Sequence, residues 1–482
     1  MNVMLLVNGE DVTAAGGGTF ERRNPVDGTV ACFAAAARRA DAIAAADAAS
    51  AAFLSWGASG PGYRRALLTR AADIMMQRVD EFVGHVVRET GATPGWAHFN
   101  VAVAAGMFRE AGAMTTQIGG EVIPSDKPGC LSMALREPAG VVLGIAPWNA
   151  PVILAARAVA MPLACGNTVV LKASELCPAT HRLLGEVLQV AGFPNGVINV
   201  VTNAPADAAE VVESLIAHPA IRRVNFTGST RVGRLIAEQA AKHLKPVLLE
   251  LGGKASFIVL ADADIPAAVA ATAFGSFMNQ GQICMSTERV IVEESVADEF
   301  VAQLSAKAKT LKCGDPLAEG IVLGSLVSAV AADHVRNLIQ DATSSGAVLC
   351  AGGEGREAIM PACVLDRVSA QMKIYSEESF GPVVSVIRVK NEDAAVRVAN
   401  DTEYGLSSAV FSRDIPRALA IARKLRTGIC HINGPTVHDE PQMPFGGTKA
   451  SGYGRFGGKA AIAEFTELRW ITIETADQHY PI

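Results

Sequence analysis

An α/β fold with a doubly wound parallel sheet and a second α/β domain is what the chain predicts, on three observations. Its 482 residues exceed what one hydrophobic core organises, so two or more domains are expected. Half of the residues are apolar and 19% are charged, the balance of a large folded protein and not of a disordered one. From residue 139 onward, short β-branched or Leu-rich runs alternate with helix-length amphipathic or Ala-rich stretches, the pattern of parallel strands covered on both faces.

The elements follow in order. From Gly62 to Gly91 the apolar positions Leu67, Ala71, Ile74, Met75, Phe82, Val83 and Val86 recur at helical spacing and predict at least one long amphipathic helix. The runs AGVVLGIAPWN, GNTVVLKASE, GVINVVT, RRVNFTGST, KPVLLELGGK and ASFIVLADAD then read as successive strands of a doubly wound, nucleotide-binding sheet. A second alternation begins with ERVIVEESV and continues through VLCAGG and FGPVVSVIRV to TGICHIN. Before the first sheet's strands, GGEVIPSDKPGCLSMALREPAG reads as a hairpin excursion, and the terminal EFTELRWITIE as a strand in need of a sheet. The expected boundaries are 1–118 and 140–250 for the first domain, 251–446 for the second, and 119–139 with 464–482 for the hairpin and tail.

Charge and cysteine usage exclude several function classes. A net charge of −6 is small for this length and gives no reason to expect a nucleic-acid partner. The nine cysteines form no CxxC pair and no His/Cys cluster at metal-ligand spacing, so no metal is expected. Such usage fits a reducing cytoplasm. The start MNVMLLVNGEDVT lacks a basic flank and meets acidic residues early, and no apolar run reaches membrane-spanning length. A soluble cytoplasmic protein is the expectation.

Five stretches carry more polar and glycine detail than a sheet requires. In FMNQGQICMSTER, Cys284 has no partner cysteine nearby, and Asn279, Gln280, Gly281 and Gln282 precede it. A buried core cysteine explains Ile283 and Met285 but not the amides, so a reactive thiol is the competing reading. In PWNAP, Asn149 follows an apolar strand between Trp148 and Pro151, either as a turn asparagine or as a placed amide. In LKASE, Lys172 and Glu175 end a strand, where they can take ribose hydroxyls or simply pair on a loop. In FTGSTRVG, a strand runs into Gly228, Ser229 and a helix start, an anion site in form, although such a turn is common. In LLELGGK, Glu250 lies between two leucines. Burial there raises a carboxyl toward neutrality and makes it a usable base, unless backbone amides satisfy it.

PWN, KxxE, FTGSTxxG, ELGGK, NxGQxC, EESFGPV at 377–383 and PFGGTKASGYGR at 444–455 resemble, in order and spacing, the aldehyde dehydrogenase superfamily. The resemblance covers essentially the whole chain. It implies Cys284 as the nucleophile, Asn149 as the amide that stabilises the oxyanion, and Glu250 as the general base. It further implies NAD as cofactor. Lys172 and Glu175 would hold the adenosine ribose, Ser229 the pyrophosphate, and Glu378 with Phe380 the nicotinamide ribose, with Trp148, Phe226, Gly228 and Gly252 along the same path. The carboxylate of Glu175 favours NAD over NADP. By the same resemblance the hairpin and the tail near Trp470 join subunits, so a homodimer or homotetramer is expected. Phe456 stands where many relatives carry a proton-relaying glutamate.

Three rivals remain in view at this level: a cofactor-independent cysteine esterase, a coenzyme A-acylating relative, and a protein that kept the fold without the chemistry. The last two sit poorly with an intact Glu250 and Cys284. For the substrate, Ala150 and Arg157 occupy positions where many aliphatic-aldehyde enzymes carry aromatic residues. The stretch NAPVILAARA is similar to that of salicylaldehyde and vanillin dehydrogenases. An aromatic slot walled by Trp96, Ile283 and Met285, with the Arg157 cation facing a hydroxylated ring, is therefore the expectation. A structural ion pair of Arg157 and a semialdehyde or aliphatic substrate are the alternatives.

Overall fold

The computed structural model describes residues 1–477, 479, 480 and 482; of the predicted tail, Gln478 and Pro481 lie outside the described residues. Two sheets dominate it. In the first, parallel strands Val247–Glu250, Ile221–Thr227, Val141–Ile145, Thr168–Lys172 and Ile198–Val201 lie side by side in that order. Chain order therefore reverses between Val141–Ile145 and Ile221–Thr227, which opens a crevice at their carboxyl ends. The apolar runs are continuous because both faces are covered: Val142, Val169 and Leu171 meet the buried helix Pro151–Ala164 on one side. Val141, Leu143 and Val170 meet the Ala-rich helix Arg39–Trp56 on the other.

The second sheet is ordered Val348–Ala351, Cys363–Asp366, Val383–Val389, Thr287–Glu293, Ala255–Val259, Ser407–Phe411 and Ile429–Ile432. All neighbouring pairs are parallel except the first. The run ASFIVLADAD, read with the first sheet, belongs here, at its centre. The reason is connection length. Only Leu251 to Lys254 separate this strand from Val247–Glu250, whereas a parallel neighbour in the same sheet needs a crossover of about a dozen residues. The chain passes directly from one sheet to the other through LGGK.

The helical stretch holds two helices, Pro61–Gln77 and Val79–Thr90, parted at Arg78, whose backbone leaves the helical region. Arg78 pairs there with Glu81 and Glu186. Short N-terminal strands escaped the sequence pattern; of these Leu5–Val7 joins the first sheet antiparallel to Ile198–Val201. The hairpin is present as Glu121–Ile123 and Cys130–Pro138, and the terminal strand Thr466–Glu474 pairs antiparallel along the full length of the latter. Among the described residues no helix is long and apolar enough to cross a membrane.

Deleting residues 466–482 removes the whole Thr466–Glu474 ladder and leaves Cys130–Pro138 paired only along Glu121–Ile123. The expected outcome is a lower Tm and aggregated material in size-exclusion chromatography. A native-sized species with unchanged Tm would contradict it.

Candidate active site

The amides around Cys284 build a turn that few sequences can form. Asn279, Gln280 and Gly281 have φ of 49°, 56° and 73°, three successive left-handed residues. Side-chain hydrogen bonds hold this conformation. Asn279 Nδ2 donates to the Asn149 carbonyl at 3.0 Å, Gln280 Nε2 to the Ser325 carbonyl at 2.9 Å, and Gln282 Oε1 accepts from the Val327 amide at 2.9 Å. A Cβ at Gly281 would stand 2.1 Å from the Gly381 carbonyl oxygen, so only glycine fits. The turn delivers Cys284, half-buried, between the buried Ile283 and Met285. Burial, then the Glu250 charge, holds its thiol well above the ordinary value, against the pull of Arg157. The resting sulfur is therefore protonated and needs a base.

Asn149 is placed by its neighbours. Its carbonyl also accepts from Trp96 Nε1 at 3.1 Å, and its Nδ2 donates to the Gln282 carbonyl at 3.1 Å. The side-chain amide thus lies beside the backbone that carries Cys284, with a second N–H left to offer. Glu250 ends its strand 1% exposed, and no N–H or O–H donates to either carboxylate oxygen, which leaves the Cys284 thiol to support its charged form. Backbone amides do not satisfy it, contrary to the plainer reading of ELGGK. Burial pushes it up to about 7, with Arg157 and the Cys284 thiol lowering it and Asp439 raising it.

Trp148, Asn149, Glu250, Cys284, Glu378 and Phe380 surround a chamber of about 210 Å3. Gly252 lies on its floor, where a Cβ would come within 2.8 Å of the Glu378 carboxylate. The Gly253 amide donates to that carboxylate at 2.8 Å, while burial and then Glu288 push Glu378 up to about 8. Phe380, left-handed at φ 46°, meets Trp148 edge-on with centroids 5.7 Å apart. Through Thr227, Gly228 and Ser229 the chamber opens into a groove of about 650 Å3 in the crevice of the first sheet. A Cβ at Gly228 would fall 2.4 Å from the Phe226 ring, so a side chain there would have to displace that ring. Ser229 caps the helix Thr230–Lys242, and Lys172 and Glu175 form an ion pair at the far end, with Asn203 Nδ2 donating to Glu175 at 3.0 Å. The shape fits an extended dinucleotide, with helix N–H groups midway and a carboxylate at the ribose end.

On the other side of Cys284 lies a separate apolar cavity of about 310 Å3. Trp96, Ala150, Ile283 and Met285 line it as expected, joined by Phe274 and Phe445. Arg157 borders it too, but its guanidinium is ion-paired with Asp439 and lies 4.0 Å from the Phe445 ring centroid. The guanidinium expected to face a ring hydroxyl is thus also engaged in an ion pair, because Asp439 reaches it from a distant loop. Phe456 is buried and packs near Phe465.

Sequence reasoning passed over Lys254 and Glu288, which pair in the interior with side chains 0% and 4% exposed. Glu288 also accepts from the Ser379 amide at 2.9 Å, its Oγ at 2.7 Å and the Phe380 amide at 3.3 Å. A lysine directly before the apolar run ASFIV and a glutamate at the start of the strand Thr287–Glu293 were the available signal. Phe99, one helical turn after Trp96 and stacked on it at 5.5 Å, was legible in the same way.

A two-sheet α/β protein with a groove of dinucleotide shape, a thiol and an apolar cavity meeting at one chamber has the build of a nicotinamide-dependent oxidoreductase. The aldehyde dehydrogenase family model matches residues 12–471, and the chain belongs to that family. A vanillin dehydrogenase of Pseudomonas fluorescens is 60% identical over 482 residues, 100% of both chains. A salicylaldehyde dehydrogenase of Pseudomonas putida is 52% identical over 482 residues, again 100% of both. The crystal structure of a salicylaldehyde dehydrogenase from Pseudomonas putida G7, complexed with salicylaldehyde, superposes with a TM-score of 0.99 at 51% identity and covers 100% of each chain. The family acts on aldehydes and uses NAD or NADP.

Glu288→Gln leaves Lys254 buried without its counter-charge and is expected to destabilise the protein by about 3 to 5 kcal/mol in urea unfolding. The double change Lys254→Met with Glu288→Met, which removes both charges, should lose less. Equal or greater loss in the double variant would show that the pair acts by something other than its charges.

Proposed function

We propose that the chain oxidises an aromatic aldehyde, salicylaldehyde or a related hydroxybenzaldehyde, to the carboxylic acid with NAD as the oxidant. The observation that carries this reading is the position of Cys284, at the meeting point of the dinucleotide groove and an apolar cavity with aromatic walls. Glu250, near 7, divides between its two forms at neutral pH and can accept the thiol proton. The Cys284 thiolate then adds to the aldehyde carbonyl. Asn149 Nδ2 and the Cys284 backbone N–H receive the oxyanion of the hemithioacetal, a donor of this kind contributing about 3 kcal/mol in acyl transfer. Trp148, Glu378 and Phe380 would hold a nicotinamide in the chamber, which when bound would supply the acceptor for the hydride lost as the hemithioacetal on Cys284 becomes a thioester. Glu250 takes a proton from the water that hydrolyses it.

Several features support the finer points. A carboxylate at Glu175 repels a 2′-phosphate, which favours NAD over NADP. In the cavity Arg157 is already neutralised by Asp439, so an acidic semialdehyde finds no unpaired cation among the described lining residues, whereas a neutral ring finds Trp96, Phe274 and Phe445. Relatives named vanillin and salicylaldehyde dehydrogenases at 52% to 60% identity point the same way. The exposed Val122, Leu468 and Trp470 on the small sheet suit a homodimer or homotetramer. Nine free cysteines suit the cytoplasm.

Two measurements test the reading. In Cys284→Ala, NADH formation should vanish while NAD binding stays near wild type, and Glu250→Gln should give a burst of NADH followed by turnover slowed about 100-fold or more. Hydride transfer slowed more than hydrolysis in Glu250→Gln would make removal of the thiol proton, and not of the water proton, the main task of Glu250. Across an aldehyde panel, kcat/KM for benzaldehyde-type substrates should exceed that for hexanal and for succinate semialdehyde by about tenfold or more. A preference for short aliphatic aldehydes would overturn the substrate assignment.

A further inference from the structure

At the far end of the dinucleotide groove the carboxyl ends of two neighbouring strands meet. Thr168–Lys172 and Ile198–Val201 run parallel with Lys172 in register with Val201, and the Ala173 amide donates to the Val201 carbonyl at 2.9 Å. Glu175 follows the first strand and Asn203 the second, so side chains 28 positions apart come into contact there. The backbone on both sides is fixed. The Ser174 amide donates to His181 Nδ1 at 3.1 Å and the Leu176 amide to Ser174 Oγ at 3.2 Å. Thr202 Oγ1 donates to the Ala35 carbonyl at 2.7 Å, and the Thr202 carbonyl accepts from the Ala37 amide at 3.0 Å. What stays adjustable in such a frame is the turn of the Glu175 carboxyl group, because the last torsion of a glutamate has no sharp preference.

Two donors restrict that turn, and both act on one oxygen. Lys172 Nζ pairs with Glu175 Oε1, and Asn203 Nδ2 donates to the same atom at 3.0 Å. An ammonium is a compact charge with rotatable donors and can follow a carboxylate as it turns, whereas a planar amide held by a second bond cannot. Asn203 is fully buried, and its Nδ2 also donates to the Ala204 carbonyl at 2.9 Å. Its amide therefore has one orientation, since turned over it would set its oxygen against two others. Asn203 Oδ1 is buried without a partner, a desolvation cost that the two donations must offset. Asn203 stands behind the groove and Glu175 lines it. Among the described residues no group donates to Glu175 Oε2, which is thus the oxygen available to a ligand in the groove.

We infer that Asn203 is a positioning residue for cofactor choice: by holding Glu175 Oε1 beside Lys172, it keeps Oε2 turned toward the groove, where it accepts from a ribose hydroxyl and stands against a 2′-phosphate. The inference rests on the reading of Glu175 as the group that favours NAD over NADP. Without the amide, Glu175 can follow Lys172 away from the groove, so NAD loses an oriented acceptor and NADP meets less repulsion.

The test is equilibrium binding of NAD and NADP to the full-length protein, without aldehyde, by isothermal titration calorimetry, read as the ratio of the two Kd values. Asn203→Ala removes the donor, and Asn203→Leu removes it while keeping the shape of the side chain. Each should lower the preference for NAD by about fivefold or more, chiefly through weaker NAD binding. Glu175→Gln should lower it further, and adding Asn203→Leu to Glu175→Gln should leave the ratio where Glu175→Gln set it. A general loss of stability weakens both cofactors alike and does not move the ratio. An unmoved ratio in both Asn203 variants, with Glu175→Gln moving it, would overturn the inference and leave Asn203 a structural partner of Ala204. An equal effect of Asn203→Leu with and without Glu175 would overturn it as well, because the amide would then act by another route. Wild-type protein binding NADP as tightly as NAD, or an unmoved ratio in Glu175→Gln, would refute the reading of Glu175 itself, and the role of Asn203 with it.

Discussion

Lys254 and Glu288, an ion pair with almost no water around it, fix the point at which the two sheets meet. Lys254 closes the short link between the sheets, Glu288 lies in the neighbouring strand, and the same carboxylate gathers the amides of Ser379 and Phe380. One buried charge pair therefore aligns three segments that come from distant parts of the chain. Such a pair contributes little net stability once desolvation is counted, yet breaking it is costly. What it does contribute is definition. Glu250 on one side of the link and Glu378 on the other can face a common chamber only if the link has one conformation.

The chamber concentrates acidic groups with few donors. Glu250 and Glu378 are both pushed upward by burial, and Cys284 is held in the thiol form by burial and by Glu250. None of these groups would be useful at an ordinary surface value. A carboxyl near neutrality gives and takes protons at working pH, and a thiol kept protonated until a base removes its proton is shielded from wasteful reaction. The cost of burying these groups is tolerated because the surrounding frame is rigid: the left-handed turn before Cys284 is stitched by three side-chain amides, and Asn149 is held from both ends. The reactive atoms stand on constraint, not on mutual attraction.

Much of this was legible in the residues. Runs of β-branched residues on both sides of each strand announced covered sheets, since a strand buried on both faces has no polar alternation to show. The motifs around Asn149, Glu250 and Cys284 stood out as polar detail in apolar surroundings, and they converge on one chamber. The strand at ASFIVLADAD was assigned to the wrong neighbours, because local pattern carries strand character but not partner choice. Arg157 was legible as an unexpected charge on an apolar helix. Its partner was not: Asp439 lies 282 positions away, and nothing local marks a carboxylate for a distant guanidinium.

By itself the sequence determined which segments form most of the strands and helices and, through ordered motifs, the family. These depend on short-range spacing and on residue identity, both written along the chain. Only the tertiary structure decided that Arg157 is neutralised, that no N–H or O–H donor reaches the Glu250 carboxylate, and that Lys254 and Glu288 pin the junction. Those outcomes depend on which charges meet once water is excluded. Electrostatic energy in a low-dielectric interior is set by distances between residues far apart in sequence, which spacing along the chain does not encode.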